Sequence, residues 1–272
     1  MRSKCCARPA AWVLLFFFLC PNAMAGSFGA GISPSKFELR AKPGQVLRDT
    51  ITVLNPGEDA SDYQFRTADW RLDDSRNVKF FEDELLEDSC RPWVRLERKT
   101  VRIRASGQKN YRFEVHVPEN ALPGLCRFAI LIEPGETVTT RVGIDGEINI
   151  PIIGRYAVIT YVTIGEAQAN IDYLGIGQRT VNGQRLPTLK FRNRGNTYDR
   201  AFGEVTAFNS DGRRVPLIAS TFPVLPGRTE EILLSPASPA PGVGAERLAY
   251  PVRLKGQIEI GGGTVSIEEA VD

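Results

Sequence analysis

The sequence is poor in the residues that most active-site chemistry requires. It holds one histidine, His116, and beyond its first 25 residues only two cysteines, Cys90 and Cys126. One imidazole excludes a two-histidine metal site, and two cysteines so far apart form no C-x-x-C pair, which excludes a zinc knot and a dithiol redox motif. No G-x-S-x-G elbow accompanies the histidine, no G-x-x-x-x-G-K-[ST] loop is present, and no G-x-G-x-x-G opens a helix after a strand. The acidic run FFEDELLEDSC (residues 80–90) offers neighbouring carboxylates, but such runs are ordinarily solvated, and it reads at most as a turn of helix. No cofactor is implied, and the expectation is of a protein that is not an enzyme.

Also missing are an excess of charge of one sign and any second long apolar run. The chain opens MRSKCCARPAAWVLLFFFLCPNAMA, with a basic start, an apolar stretch over residues 10–20 and Ala23-Met24-Ala25 at the end. This predicts a removable signal peptide over residues 1–25, because the run is short and ends in an A-x-A site. A lipid anchor on Cys20 is disfavoured by the bulky Leu19 before it. Three of the 34 basic residues leave with the signal and none of the 32 acidic ones, so 31 cations face 32 anions in the exported chain. That balance argues against nucleic acid, whose affinity comes largely from cationic excess and counterion release. Stable membrane insertion is likewise not expected. In an oxidising compartment Cys90 and Cys126 are expected to pair, closing a loop that stabilises the fold by roughly 4 kcal/mol on the chain-entropy model.

Amphipathic helical periodicity sustained over ten residues is absent, and period-two alternation takes its place. Runs such as DTITVLN, DYQFRTADWRL, YRFEVHVP and LCRFAILIE, separated by Pro-Gly and Asn-Pro-Gly turns, predict an all-β fold. Their spacing suits immunoglobulin-like sandwiches. The length suits two in tandem, with domains over residues 26–166 and 167–272. Thr50-x-x-x-x-Asn55-x-Gly57 recurs as Thr188-x-x-x-x-Asn193-x-Gly195, one echo of the first half in the second. The cationic run TVRIRASGQKNYRFEVHVP reads as a hairpin whose wet face carries Arg102, Arg104, Arg112, Glu114 and His116. His116 is expected to be an ordinary surface residue.

Taken in order, Pro34-Ser35-Lys36, DTITVLNPG, Trp93-Val94-x-Leu96, FEVHVPENALPG and LCRFAILIE resemble the N-terminal domain of periplasmic pilus-assembly chaperones. NRGN and VLPG in the second half resemble their second domain. The resemblance implies a periplasmic chaperone that caps exported subunits of a pilus-like or other surface structure by lending an edge strand, and it leaves open whether an outer-membrane usher is a further partner. It assigns the lent strand to residues 147–158, with Ile148 and Ile150 on one face and Ile144 as an extension. It makes Lys36 and Arg155 the basic pair that anchors a subunit carboxylate. The chain departs from the family pattern in three places: AVITYV ends the strand where an aromatic-Arg-Pro sequence is usual, Lys36 stands where Arg is usual, and Pro151 removes a ladder donor. An alternative reading is a structural or adhesive envelope module, in which Lys36 and Arg155 are unrelated surface charges.

Overall fold

A computed structural model describes residues 30–73, 76–135, 138–142, 148–152, 154–237 and 247–272, the segments 138–142 and 148–152 by their backbone. Residues 1–25, expected to be a signal peptide, and Ile144 lie outside the described residues. The first half supplies β1 (Gly31–Ser33), β2 (Lys36–Ala41), β3 (Val46–Leu54), β4 (Ser61–Leu72), β5 (Val78–Phe81), β6 (Val94–Leu96), β7 (Thr100–Ile103), β8 (Gln108–His116), β9 (Gly124–Pro134), β10 (Val138–Val142), β11 (Ile148–Ile152) and β12 (Tyr156–Ile164). The second half supplies β13 (Ile171–Val181), β14 (Gln184–Asn193), β15 (Asp199–Arg200), β16 (Phe202–Phe208), β17 (Arg214–Ala219), β18 (Pro223–Val224), β19 (Thr229–Pro236), β20 (Val252–Ile260) and β21 (Gly263–Val271). Among the described residues the one helical element is a 3-10 turn at Arg91–Trp93.

Each half is an immunoglobulin-like β-sandwich. In the first, a sheet ordered β1-β3-β8-β6 faces one ordered β2-β12-β9-β4-β5, with β7 added against β4. Alternation decides what each strand buries. Ile51, Val53, Tyr111, Phe113 and Val115 of one sheet meet Phe65, Phe128, Ile130, Ile132 and Val158 of the other in a single core. In the second, the order is β13-β14-β19-β17-β16-β20-β21. Strand β19 pairs first with β14 and then, from Leu234 onward, with β17, so one strand serves both layers. Leu189, Phe191, Val205, Leu217, Ile232 and Leu254 fill the space between.

The repeated Asn-x-Gly sequence is the same device in both halves. Asn55 accepts a hydrogen bond from Gly57 N at 3.0 Å through its side-chain oxygen and donates from Nδ2 to Asp59 O at 2.8 Å. Asn193 accepts from Gly195 N at 2.8 Å and donates to Thr197 O at 2.7 Å. Both side chains are buried, and each also bonds a carbonyl across the sandwich: Ile103 O for Asn55 and Val224 O for Asn193. A buried amide so satisfied pins the end of a strand to a distant loop.

The arginine run departs from the sequence reading. Strands β7 and β8 do not pair with each other: β7 pairs with β4 and β8 with β3 and β6, so the turn after Ile103 crosses from one sheet to the other. Val101, Ile103, Tyr111, Phe113 and Val115 do point inward. Arg102 then meets Asp62 at 3.2 Å, while Glu114 meets Arg48 at 2.7 Å and His116 at 2.7 Å, on different faces of the molecule. A period of two specifies which side chains are buried and says nothing about which strand lies alongside.

Candidate functional site

The outer face of the β2-β12-β9-β4-β5 sheet is the surface on which the two sandwiches meet. With Phe37, Leu39, Val158, Val162, Phe128 and Phe65 turned inward, alternation turns Lys36, Glu38, Ile159, Tyr161, Arg127, Ala129, Leu131, Arg66, Ala68 and Trp70 outward. Register aligns them in rows across the sheet. Glu38 lies opposite Tyr161, and Tyr161 opposite Arg127; Lys36 lies opposite Ile159, and Ile159 opposite Ala129. Ala68, Trp70, Ala129, Leu131 and Tyr161 form a second apolar cluster that Leu225 of the second sandwich closes, with Tyr198 packed against it. Burying apolar surface between the halves at about 25 cal/mol per Å² favours one relative orientation.

Polar contacts complete this elbow. Arg200 of β15 reaches Glu38 of β2 at 2.9 Å, donates to Thr221 O at 2.6 Å, and lies over the rings of Tyr161 and Tyr198 at 5.4 and 5.2 Å. Burial raises the pKa of both tyrosines, so both stay neutral across the physiological range. Burial also pushes the Glu38 carboxyl up, but the hydrogen bond from Lys36 and the charges of Arg200 and Lys36 outweigh it and hold the group below its ordinary value. Asn196 ties the second sandwich to the β9 lead-in, donating to Pro123 O at 2.9 Å and accepting from Leu125 N at 2.8 Å. At the far side Arg76 donates to Glu231 O and covers the Phe222 ring at 4.8 Å.

The two cations expected to act together belong to separate networks. Lys36 Nζ lies 2.6 Å from Glu38, which also holds Arg200. Arg155 precedes β12, four residues before Ile159, or about 13 Å along a strand. It contacts Glu133 and, at 2.8 Å, Glu82, and Arg66 touches the same two carboxylates. Both cations share the outer face by alternation, Lys36 beside the elbow and Arg155 at the opposite end of the sheet.

The stretch assigned to the lent strand is a ribbon. β11 pairs with β10 as a separate two-stranded sheet, Ile148 opposite Val142 and Ile150 opposite Thr140, between β9 and β12 in the sequence. Ile148 and Ile150 occupy alternate positions of β11, and Pro151 lies between Ile150 and Ile152, opposite Thr139. On the other side β2 joins β12 only from Ile159 onward. Among the described residues, therefore, residues 156–158 of β12 and all of β11 have no strand neighbour on that edge.

The acidic segment is structural. Asp69 is buried, accepts from Leu86 N at 3.0 Å and Ser89 Oγ at 2.6 Å, and so holds the loop from inside. Arg91 binds the Phe81, Glu82 and Glu84 carbonyls from outside. Cys90 and Cys126 are joined, with Cα atoms 5.5 Å apart, fixing the loop to β9. His116 is exposed at the end of β8 against Glu114. Among the described residues no group of acidic, histidine or cysteine side chains could hold a metal, and no helix is long and apolar enough to cross a membrane.

Glu38, Arg200, Tyr161 and Tyr198 are the residues that the sequence reading passed over. Glu38 carried a signal, since it alternates with Phe37 and Leu39 beside Lys36. Arg200 carried none: it stands in a strand of two residues within NTYDRAFG, which has no period.

No family model matches the chain. No curated protein matches it either. Solved structures do resemble it. One is a chain of the chaperone–tip adhesin complex of CFA/I fimbriae biogenesis, 13% identical over 85% of this chain and 98% of its own, with a TM-score of 0.47. A chain of the CsuC–CsuE chaperone–tip subunit complex from Csu pili of Acinetobacter baumannii is 12% identical, covers 88% and 97%, and has a TM-score of 0.44. A chain of the Salmonella enterica SafA pilin complex with the SafB chaperone is 11% identical, covers 90% and 97%, and has a TM-score of 0.43.

Proposed function

We propose that this chain is a periplasmic, non-enzymatic chaperone that holds exported subunits of a pilus-like surface structure along its open β-edge. The observation that carries the reading is that edge: β11 and the start of β12 present backbone N–H and C=O groups with no strand beside them among the described residues. An extended ribbon with isoleucines at alternate positions suits the filling of an incomplete sandwich, the backbone supplying the ladder and the side chains the specificity. The elbow holds the second sandwich at a set angle to the sheet that ends in this edge. In this reading Lys36 and Arg155 receive client carboxylates by exchanging present partners, Glu38 in one case and Glu82 and Glu133 in the other. Export follows from the signal segment, and an outer-membrane usher would receive the loaded complex.

The test is capture from periplasmic extract of cells that make surface fibres, using the exported chain, an Ile148→Asp/Ile150→Asp variant and a Lys36→Ala/Arg155→Ala variant. Retention of small β-rich subunits by the unaltered protein, lost in the first variant and at least tenfold weaker in the second, supports the reading. Equal retention by all three overturns it and favours the envelope-module alternative.

A further inference from the structure

A pocket of about 630 Å³ opens at the seam between the sandwiches, on the β4 and β9 side of the elbow. That volume lies in the range of small-ligand sites, roughly 300–1,000 Å³. Arg71 and Arg127 enter it from the first sandwich, Arg228 and Asn196 from the second, and Leu125 and Leu225 supply apolar wall.

Arg127 is the informative member. Its side chain is 92% buried, from a relative exposure of 8%. Nε and Nη2 both donate to Asp88, Nε at 3.0 Å. The Trp70 ring lies 4.6 Å from the central guanidinium carbon, a contact that favours the charge but supplies no lone pair. Nη1 is buried with no hydrogen-bond partner among the described residues. A buried guanidinium N–H left without an acceptor is costly, more so than a neutral one.

Charge balance points the same way. Asp88 is committed to Arg127, which leaves Arg71 and Arg228 facing the single exposed carboxylate of Glu87. The described partner of Arg71 is the Phe81 ring at 6.0 Å, and that of Arg228 is Glu230 at 3.7 Å, beyond hydrogen-bond length. The groove adjoining this pocket shares Leu72 and Arg228 with it and holds Arg76 and Arg179. There, burial first and the charge of Arg179 second push the Arg76 guanidinium below its ordinary pKa, while Glu230 and Glu231, which line the same groove, act against them.

We propose that this seam pocket binds a small oxyanion, a carboxylate or phosphate on a compact body, gripped by Arg71 and Arg127 from one sandwich and Arg228 from the other. Guanidinium forks match both anions in geometry, and a ligand held from both sides stiffens the elbow. The site is separate from the open edge, so failure of client capture leaves it untouched.

The test is thermal melting and titration calorimetry of the exported chain in sodium phosphate and in sodium citrate, each against sodium chloride of equal ionic strength. Saturable stabilisation beyond chloride is expected. It should weaken at least tenfold in Arg71→Ala and in Arg228→Ala, both exposed positions, and persist in Arg102→Ala on β7. A response to phosphate alone or to citrate alone assigns the anion, and a response to both assigns an unselective oxyanion site. No effect beyond chloride with either anion, or equal weakening by Arg102→Ala, overturns the proposal.

Discussion

The two sandwiches share one turn device and differ in almost everything else. The first is filled with rings: Tyr63, Phe65, Tyr111, Phe113 and Phe128 are all fully buried, with Phe65 and Tyr111 stacked at 3.6 Å between centroids, and a disulfide closes its acidic loop. The second holds one ring among its largest buried side chains, Phe191, in an otherwise aliphatic core. Their edges differ too. In the second, β13 and β21 shield each other, with Tyr173 donating to Glu269 at 2.7 Å and Gln178 to Asp272 O at 2.5 Å. Among the described residues, the first leaves β11 and the start of β12 without a strand neighbour on one edge. A sandwich that exposes an edge carries an aggregation hazard, and here the heavier bracing lies on the sandwich that takes that risk.

Removing the braces one at a time tests that contrast. The largest effect is expected from Cys90→Ala/Cys126→Ala, which should cost the first sandwich about 4 kcal/mol on the chain-entropy account of a loop of this length. Of the tryptophans after residue 25, Trp93 packs on the core of the first sandwich and Trp70 belongs to the elbow cluster, so fluorescence reports the first sandwich together with the elbow, while far-UV circular dichroism reports both halves. In urea the fluorescence transition should move to lower concentration, leaving a later dichroism transition for the second sandwich. If both signals fall together, the elbow couples the halves into one unit and the contrast in bracing has no separate consequence.

The matched asparagines sharpen the comparison at smaller cost. Asn55→Ala and Asn193→Ala each strip a buried turn of its acceptor and take a donor from three carbonyls in the first case and two in the second, at about 2–3 kcal/mol apiece. Asn55→Ala should shift the fluorescence transition and Asn193→Ala only the dichroism one. Equal shifts in both signals for either variant would again mean a single cooperative unit.

These asparagines also show what was legible in the sequence. A local device, a strand ending in Asn-x-Gly, is written in adjacent letters, so its recurrence predicted its recurrence in space. Buried faces were legible for the same reason: Phe113 and Val115 alternate with Arg112 and Glu114. Pairing between distant segments was not. Nothing in residues 100–118 separates a hairpin from two strands in opposite sheets, because both have period two. The elbow was hidden more deeply, since Arg200 acts through Glu38, 162 positions away, and through rings that look like ordinary core. The acidic run read as solvated because the buried partner that organises it, Asp69, precedes it and is one carboxylate among many.

Arg200→Ala should cost less than either asparagine, about 1–2 kcal/mol for two ring contacts and its hydrogen bonds. Its clearer readout is shape. Small-angle scattering should show a wider spread of inter-sandwich distances with only a small shift of the tryptophan transition, since Arg200 covers Tyr161 beside Trp70 but does not enter the main core of the first sandwich. An unchanged scattering curve would leave the apolar cluster around Leu225, with the Asn196 and Arg76 contacts, to hold the elbow.

The smallest effect concerns the carboxylate that Arg200 holds. Glu38 has its pKa below the ordinary 4.5 in the folded chain, so its contribution is present above that value and is lost as pH falls through the lower folded one. The group is partly exposed, so the pair contributes roughly 0.2–1 kcal/mol. Glu97, Glu114 and Asp211 are also lowered and titrate in the same acid range, so the raw pH dependence of stability does not isolate Glu38. The difference between the unaltered chain and Glu38→Gln does. That difference should be constant from neutrality down to about pH 5 and then shrink, and in Arg200→Ala it should narrow at every pH, because Lys36 alone remains to favour the charge. A difference that grew on acidification would reverse the sign and mean that Glu38 is held protonated at the elbow, with burial outweighing its two cations.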